Sequence, residues 1–178
     1  IPEFPGYHEN EYFDAGDSGF QVTQTRYAKI GVGICWDQWF PEAARCLALQ
    51  GADIVLYPTA IGSGLGGGGD LLTGNDSVNA WRNAMCGHAA CNILPVVTSN
   101  RIGREYMTED GKSHLDFYGS SFIADHEGQV VEQAGRDQEE VLVHRFDFQK
   151  VKEYRDSWAV FRDRRPDLYG ALTTLDGG

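Results

Sequence analysis

The sequence predicts an α/β domain, and three observations carry that reading. A strand-helix-strand unit is legible in residues 29–34, a helical stretch opened by Pro41, and residues 53–57. Further apolar, β-branched runs at 94–98, 120–124 and 141–146 alternate with helical stretches at 79–91 and 148–158. Glycine, proline and short polar residues separate these segments, as alternating strands and helices require.

Residues 2–13, with Pro2, Pro5 and Gly6, read as an irregular loop that continues as turns to Gly19. Residues 20–25 alternate well enough for an edge strand, and Lys29 to Ile34 is apolar enough for a buried one. Pro41 suits a first helical turn, Ala43, Ala44, Leu47 and Ala48 favour its continuation, and Gly51 closes it. The next strand is Asp53 to Tyr57. Residues 60–78 form a loop dominated by Gly64 and Gly66 to Gly69. No Gly-Lys-Ser/Thr follows this run, so a linker or lid is expected rather than a phosphate cradle.

Residues 79–91 predict a helix with Trp81, Met85 and His88 on its core face, and residues 94–98 a strand. After a polar excursion at 109–112, residues 120–124 and 129–132 flank Glu127-Gly128 as a hairpin. A strand at 141–146 and a helix at 148–158 with Val151, Tyr154 and Arg155 near one side complete the series. One domain over residues 1–160 and a C-terminal arm over 161–178 are expected.

Composition narrows the function classes. A chain of 178 residues with 42% hydrophobic content is compatible with one substantial core. Acidic residues outnumber basic ones 26 to 15, for a net charge of -11, which leaves no basic stripe for nucleic acid or an anionic membrane. No apolar stretch reaches the roughly 20 residues of a membrane span, and no signal peptide opens the chain, so a cytoplasmic protein is expected. Cys35, Cys46, Cys86 and Cys91 show no disulfide framework. Cys86 and His88 stand two apart on a predicted helix and face different ways, so no metal site is expected.

Cys35 is the candidate centre of chemistry. It ends the apolar run Ala28-Lys29-Ile30-Gly31-Val32-Gly33-Ile34 and precedes Trp36-Asp37-Gln38-Trp39-Phe40-Pro41-Glu42. A strand-to-helix turn there would lift the side chain from the sheet and direct helical N–H groups toward it, favouring the reactive thiolate. By position alone, Cys35 reads equally as a small buried hydrophobe at a strand end.

The string Ile34 to Arg45, then Gly51-Ala52-Asp53 and Tyr57-Pro58-Thr59-Ala60-Ile61-Gly62-Ser63, resembles the carbon-nitrogen hydrolase (nitrilase) superfamily. Gly87-His88-Ala89-Ala90-Cys91-Asn92, Thr98-Ser99-Asn100-Arg101-Ile102-Gly103, Phe117 to Ala124 and Phe161 to Tyr169 extend the resemblance, in order, from Ile1 to about Leu172. It implies an α-β-β-α sandwich, here partial and lacking its N-terminal strands and helices, with the nucleophile at a strand-helix elbow. The implied reaction is hydrolysis of a carbon-nitrogen bond in a small carbamoyl amine or amide, above all N-carbamoylputrescine. No cofactor is implied, and a homo-oligomer is expected.

The resemblance assigns Cys35 as nucleophile and Glu9, after Gly6-Tyr7, as a supporting carboxylate. Read without it, Glu9 is a solvated loop residue. The resemblance also places Trp36, Pro58, Thr59 and Ala60 around the substrate, with the backbone N–H of Trp36 on the oxyanion. It puts a catalytic glutamate and lysine ahead of Ile1, so this chain reads as the C-terminal portion and as inactive alone. Where relatives carry a glutamate for a cationic tail, Gly64 stands, and Asp70 would serve only if the loop folds back. Ureidopropionase-like and D-amino-acid carbamoylase-like branches follow their cysteine with other residues. A thiol-dependent transferase and a non-catalytic scaffold of the same fold remain alternatives. His88 reads as a satisfied core histidine.

Overall fold

The computed structural model describes residues 8–63, 76–106, 109 and 111–177. The chain divides into two compact units, Ile1–Phe146 and Asp147–Gly178. The glycine run 64–69, Asp70 and residues 2–7 of the opening loop lie outside the described residues.

In the first unit, the strands are β1 (Val22–Gln24), β2 (Lys29–Val32), β3 (Ile54–Thr59), β4 (Gly62–Ser63), β5 (Val96–Asn100), β6 (Ile102–Tyr106), β7 (His114–Tyr118), β8 (Phe122–Ala124) and β9 (Val130–Gln133). Among the described residues, six of them form a mixed sheet in the order β1-β2-β3-β5-β8-β9. The β2-β3 and β3-β5 pairs are parallel, which demands crossovers. Helix α1 (Pro41–Leu49) makes the first and helix α2 (Val78–Asn92) lies in the second.

Register explains where the core sits. Val55, Val96 and Ala124 stand side by side across β3, β5 and β8, and Tyr57, Thr98 and Phe122 form the next row. All six are buried. This face meets α2: the Trp81 ring packs edge-on against Phe122 at 5.2 Å, and the Tyr57 and His88 rings lie 6.2 Å apart. Burying Trp81 or Phe122 contributes about 1.5–3 kcal/mol each. Helix α1 presents Ala43, Ala44, Leu47 and Ala48 inward, and small alanines permit close approach. Gly51, at φ +89°, ends that helical segment in a conformation that suits glycine.

A second, three-stranded antiparallel sheet has the order β4-β7-β6 among the described residues. Leu115 and Phe117 bury one face of it, and Ala60 packs against them. Arg101 lies over the Phe117 ring at 4.4 Å.

The strand-helix-strand unit, α2 and the β8-β9 hairpin form where the sequence places them. Three expectations need correction. The loop expected over 60–78 contains β4, and the polar stretch after β5 contains the β6-β7 hairpin. Its strands pair their polar residues outward, with Arg104 clamping Asp116 at 2.5 and 2.8 Å. The strand expected at 141–146 does not form: its alternation finds no ladder partner, and Val141 and Val143 remain exposed.

The second unit holds helix α3 (Phe148–Trp158). The Asp147 carboxylate caps it by accepting from the N–H groups of Gln149 and Lys150, at 3.1 and 3.2 Å. Ala159 at φ +55° ends it, and short 3-10 turns at Pro166–Leu168 and Gly170–Thr173 follow.

Candidate active site

Strands β2, β3 and β5 run in one direction, so their C-terminal ends at Val32, Thr59 and Asn100 line one edge of the sheet. Ligands of open α/β sheets bind beyond such ends. Cys35 follows β2 after Gly33 and Ile34, half-buried and in no disulfide, with φ +45°. A side chain in the left-handed region costs roughly 1–2 kcal/mol and persists only where its surroundings impose it.

Those surroundings are visible on both sides of Cys35. The Asp37 carboxylate accepts the N–H of Ile34 at 2.8 Å, while the Asp37 N–H donates to the Ile34 carbonyl at 3.1 Å. Cys35 and Trp36 are thus enclosed in a turn clamped reciprocally at its ends. The segment Cys35–Trp39 is a five-residue 3-10 helix, and α1 begins only at Pro41. The helix thus opens at Pro41 as the sequence predicts, and the turn that carries the cysteine is a separate 3-10 segment ahead of it. Side-chain clamps, rather than a helix dipole, hold this elbow.

Gln38 anchors the far end of the turn and is fully buried. The Trp81 indole N–H donates to its Oε1 at 2.5 Å, and its Nε2 donates to Thr59 Oγ1 at 3.0 Å. The indole has no acceptor lone pair, which fixes the orientation of the amide. His88 Nε2 lies 2.8 Å from the Gln38 carbonyl and so carries the proton. Burial holds the His88 pKa below the ordinary histidine value, against smaller opposing effects of that hydrogen bond and of Glu42. His88 is a satisfied core histidine, as its place on the helix face suggests.

The remaining site residues fall into distinct places. Trp36 is half-buried with its ring edge-on to Phe40 at 6.5 Å. Pro58 is exposed and pairs with Ser99, while Thr59 turns its hydroxyl to Gln38 and its carbonyl accepts the Arg101 N–H at 3.3 Å. Ala60 rests on the second sheet. The structure thus joins Thr59 to the cysteine turn through Gln38. Glu9 opens a 3-10 turn, Glu9–Glu11, with Oε2 buried and unpartnered among the described residues. No hydrogen bond or ion pair links Glu9 to Cys35 among those residues.

Sequence reading missed Asp37, Gln38 and Asn100. A glutamine between two tryptophans is a weak sign of a buried amide, and nothing in the sequence reveals the bonds it makes. Among the other cysteines, burial raises the Cys86 thiol pKa, with Asp125 adding to this and Arg82 opposing it, so that thiol is a poor competing nucleophile.

The carbon-nitrogen hydrolase pattern matches residues 1–156. The chain belongs to the carbon-nitrogen hydrolase family. It is 57% identical over 178 residues to the N-carbamoylputrescine amidase of Solanum lycopersicum, covering 99% of this chain and 58% of that protein. It is 51% identical over 173 residues to a citrullinase of Francisella tularensis, covering 97% and 57% respectively. The crystal structure of a carbon-nitrogen hydrolase from Helicobacter pylori G27 superimposes with a TM-score of 0.89 at 40% identity, over 99% of this chain and 59% of that one. The chain therefore spans less than two thirds of the length of these relatives. Its two sheets and helices are the α/β architecture that the resemblance implies.

Proposed function

We propose that this chain carries the nucleophile of an amidohydrolase acting on a ureido amine, with N-carbamoylputrescine as the preferred substrate. The supporting observation is Cys35 held at φ +45° at the end of β2 beside the end of β3, in a chain of this family. The relatives named for N-carbamoylputrescine and for citrulline share one reacting group, a carbamoyl on an alkyl amine. The neutral ureido end would meet Cys35, and the acidic balance of the chain, net charge -11, suits a cationic tail.

Cys35 Sγ attacks the carbamoyl carbon, and the backbone N–H of Trp36 stabilises the developing oxyanion. Ammonia leaves with a proton, forming a thiocarbamate between Sγ and the substrate carbon. Water attacks that carbon, the C–S bond breaks and the thiol recovers its proton. The released N-alkyl carbamate decomposes to carbon dioxide and the free amine. Glu9 orients the catalytic lysine, which acts with the catalytic glutamate. Trp36, Pro58, Thr59 and Ala60 border the substrate. The same reading includes homo-oligomeric assembly and a cytoplasmic location.

The test is putrescine release from N-carbamoylputrescine by the product of the complete reading frame, with citrulline and N-carbamoyl-β-alanine alongside. Putrescine release lost in Cys35→Ala supports the proposal. Turnover of citrulline or the β-alanine compound alone reassigns the substrate, and turnover of none favours a non-catalytic scaffold.

A further inference from the structure

We propose that Gln38 is the positioning residue of the cysteine elbow, transmitting the rigidity of α2 and β3 to Cys35. The inference rests on the reading of Cys35 as nucleophile. Gln38 lies three residues beyond Cys35 in the same short 3-10 turn, and a turn of five residues has little stability of its own. Its direction is set by what grips it. Three groups on two different elements grip Gln38: Trp81 and His88 from α2, and Thr59 from β3.

A buried amide is a costly way to fill space, because each of its polar atoms must be paired. A methionine would occupy nearly the same volume without that demand. The amide does what methionine cannot: it fixes distance and angle simultaneously to an indole N–H and a threonine hydroxyl. The Ile34–Asp37 clamp closes the near side of the turn and Gln38 pins the far side. Cys35, at φ +45° between these restraints, stays in a conformation that a loosened turn would leave. Thr59 is also a proposed substrate neighbour, so one side chain ties the nucleophile to the pocket wall.

The experiment compares wild type, Gln38→Met, Trp81→Phe and the double variant in the product of the complete reading frame. The ureido substrate turned over by wild type is used, and active sites are counted by stoichiometric iodoacetamide labelling of Cys35. A positioning role lowers kcat per labelled site by roughly ten- to a hundred-fold in Gln38→Met, with KM changed less than about twofold. Trp81→Phe lowers it in the same sense, and the double variant is no worse than Gln38→Met, because both remove one linkage. Unchanged kcat per labelled site, with only a lower melting temperature, overturns the proposal and leaves Gln38 a packing residue. Should Gln38→Met not fold, Trp81→Phe decides by the same criterion. Turnover that survives Cys35→Ala overturns the nucleophile reading and this inference together. Cys35-dependent turnover indifferent to Gln38 overturns this inference alone.

Discussion

The ring of Tyr57 occupies the space in which Gly33 would carry a side chain: a Cβ on Gly33 falls 2.5 Å from Tyr57 Cε1 and 3.3 Å from the Asp37 Cβ. Gly33 stands two residues before Cys35, and its N–H bonds to the Leu56 carbonyl of β3 at 3.1 Å. The close approach lets β2 reach the elbow while Tyr57 stays in the core.

Gly33→Ala is therefore expected to push either the strand end or the phenol ring. Overpacking of this kind costs about 1–3 kcal/mol. A denaturant titration would show a lowered midpoint, with turnover falling further than the folded fraction explains. An unchanged midpoint would mean that the ring moves aside freely.

Tyr57→Phe runs in the opposite direction. The hydroxyl is buried and has no hydrogen-bond partner among the described residues. Burial raises the phenol pKa well above its ordinary value, with Asp37 adding to the effect, so the group remains a neutral O–H. Removing an unsatisfied buried hydroxyl is expected to be neutral or stabilising by about 1 kcal/mol. Thermal unfolding checks this, and a loss greater than about 1 kcal/mol would reveal a partner for the phenol.

His88 makes stability depend on pH. Its folded-state pKa is depressed, chiefly by burial, so the unfolded chain binds the proton more readily. The stabilisation is complete above the ordinary histidine pKa of about 6.5 and is lost as pH falls through the lower folded-state value. His88→Gln keeps a donor for the Gln38 carbonyl without titrating. Urea midpoints from pH 8 to pH 5 should fall more for wild type than for this variant. Parallel profiles would show that His88 is protonated without cost.

These predictions rest on features that differ in how far the sequence reveals them. Helix α2 is legible because Trp81, Met85 and His88 repeat at helical spacing, and all three are buried. The β2-α1-β3 unit is legible because Pro41 and Gly51 punctuate it. The β6-β7 hairpin escapes because its Arg104-Asp116 pairing is polar and becomes meaningful only once the strands are adjacent. The false strand at 141–146 shows the converse, since alternation without a neighbouring edge makes no ladder. Cys35 is legible as a candidate, but its positive φ and the Gln38 network are tertiary facts: they arise from groups that Trp81 and His88 bring from over 40 residues away.

The strain at Cys35 should separate two substitutions that remove the same thiol. Alanine keeps a Cβ and hence the cost of φ +45°, whereas glycine does not. Cys35→Gly is expected to unfold at higher denaturant than Cys35→Ala by about 1 kcal/mol, with neither turning over substrate. Equal stability would mean that the turn relaxes once the thiol is gone, so the sulfur itself would be part of what holds it.

Asn100, at the end of β5, mimics a strand for the chain leaving β3. Its Oδ1 accepts the Ile61 N–H at 2.9 Å, while its Nδ2 donates to the carbonyls of Ile61 at 2.9 Å and Gly119 at 3.0 Å. One amide thus satisfies three backbone groups and fixes the path of Ala60 from the first sheet to the second. Asn100→Leu leaves those groups unpaired, at about 1–3 kcal/mol each where water cannot replace the bond. Asn100→Asp is the sharper variant, because it turns an anionic oxygen toward two carbonyl oxygens. It is expected to destabilise at least as much as Asn100→Leu at pH 7 and to recover as acid protonates the new carboxyl. Both should raise KM through displacement of Ala60, a proposed substrate neighbour, with kcat less affected because Cys35 is held by other bonds. Equal fluorescence-monitored unfolding midpoints for Asp and Asn at pH 7 would show that the amide donors are dispensable, and that the path through Ala60 is held by packing on Leu115 and Phe117.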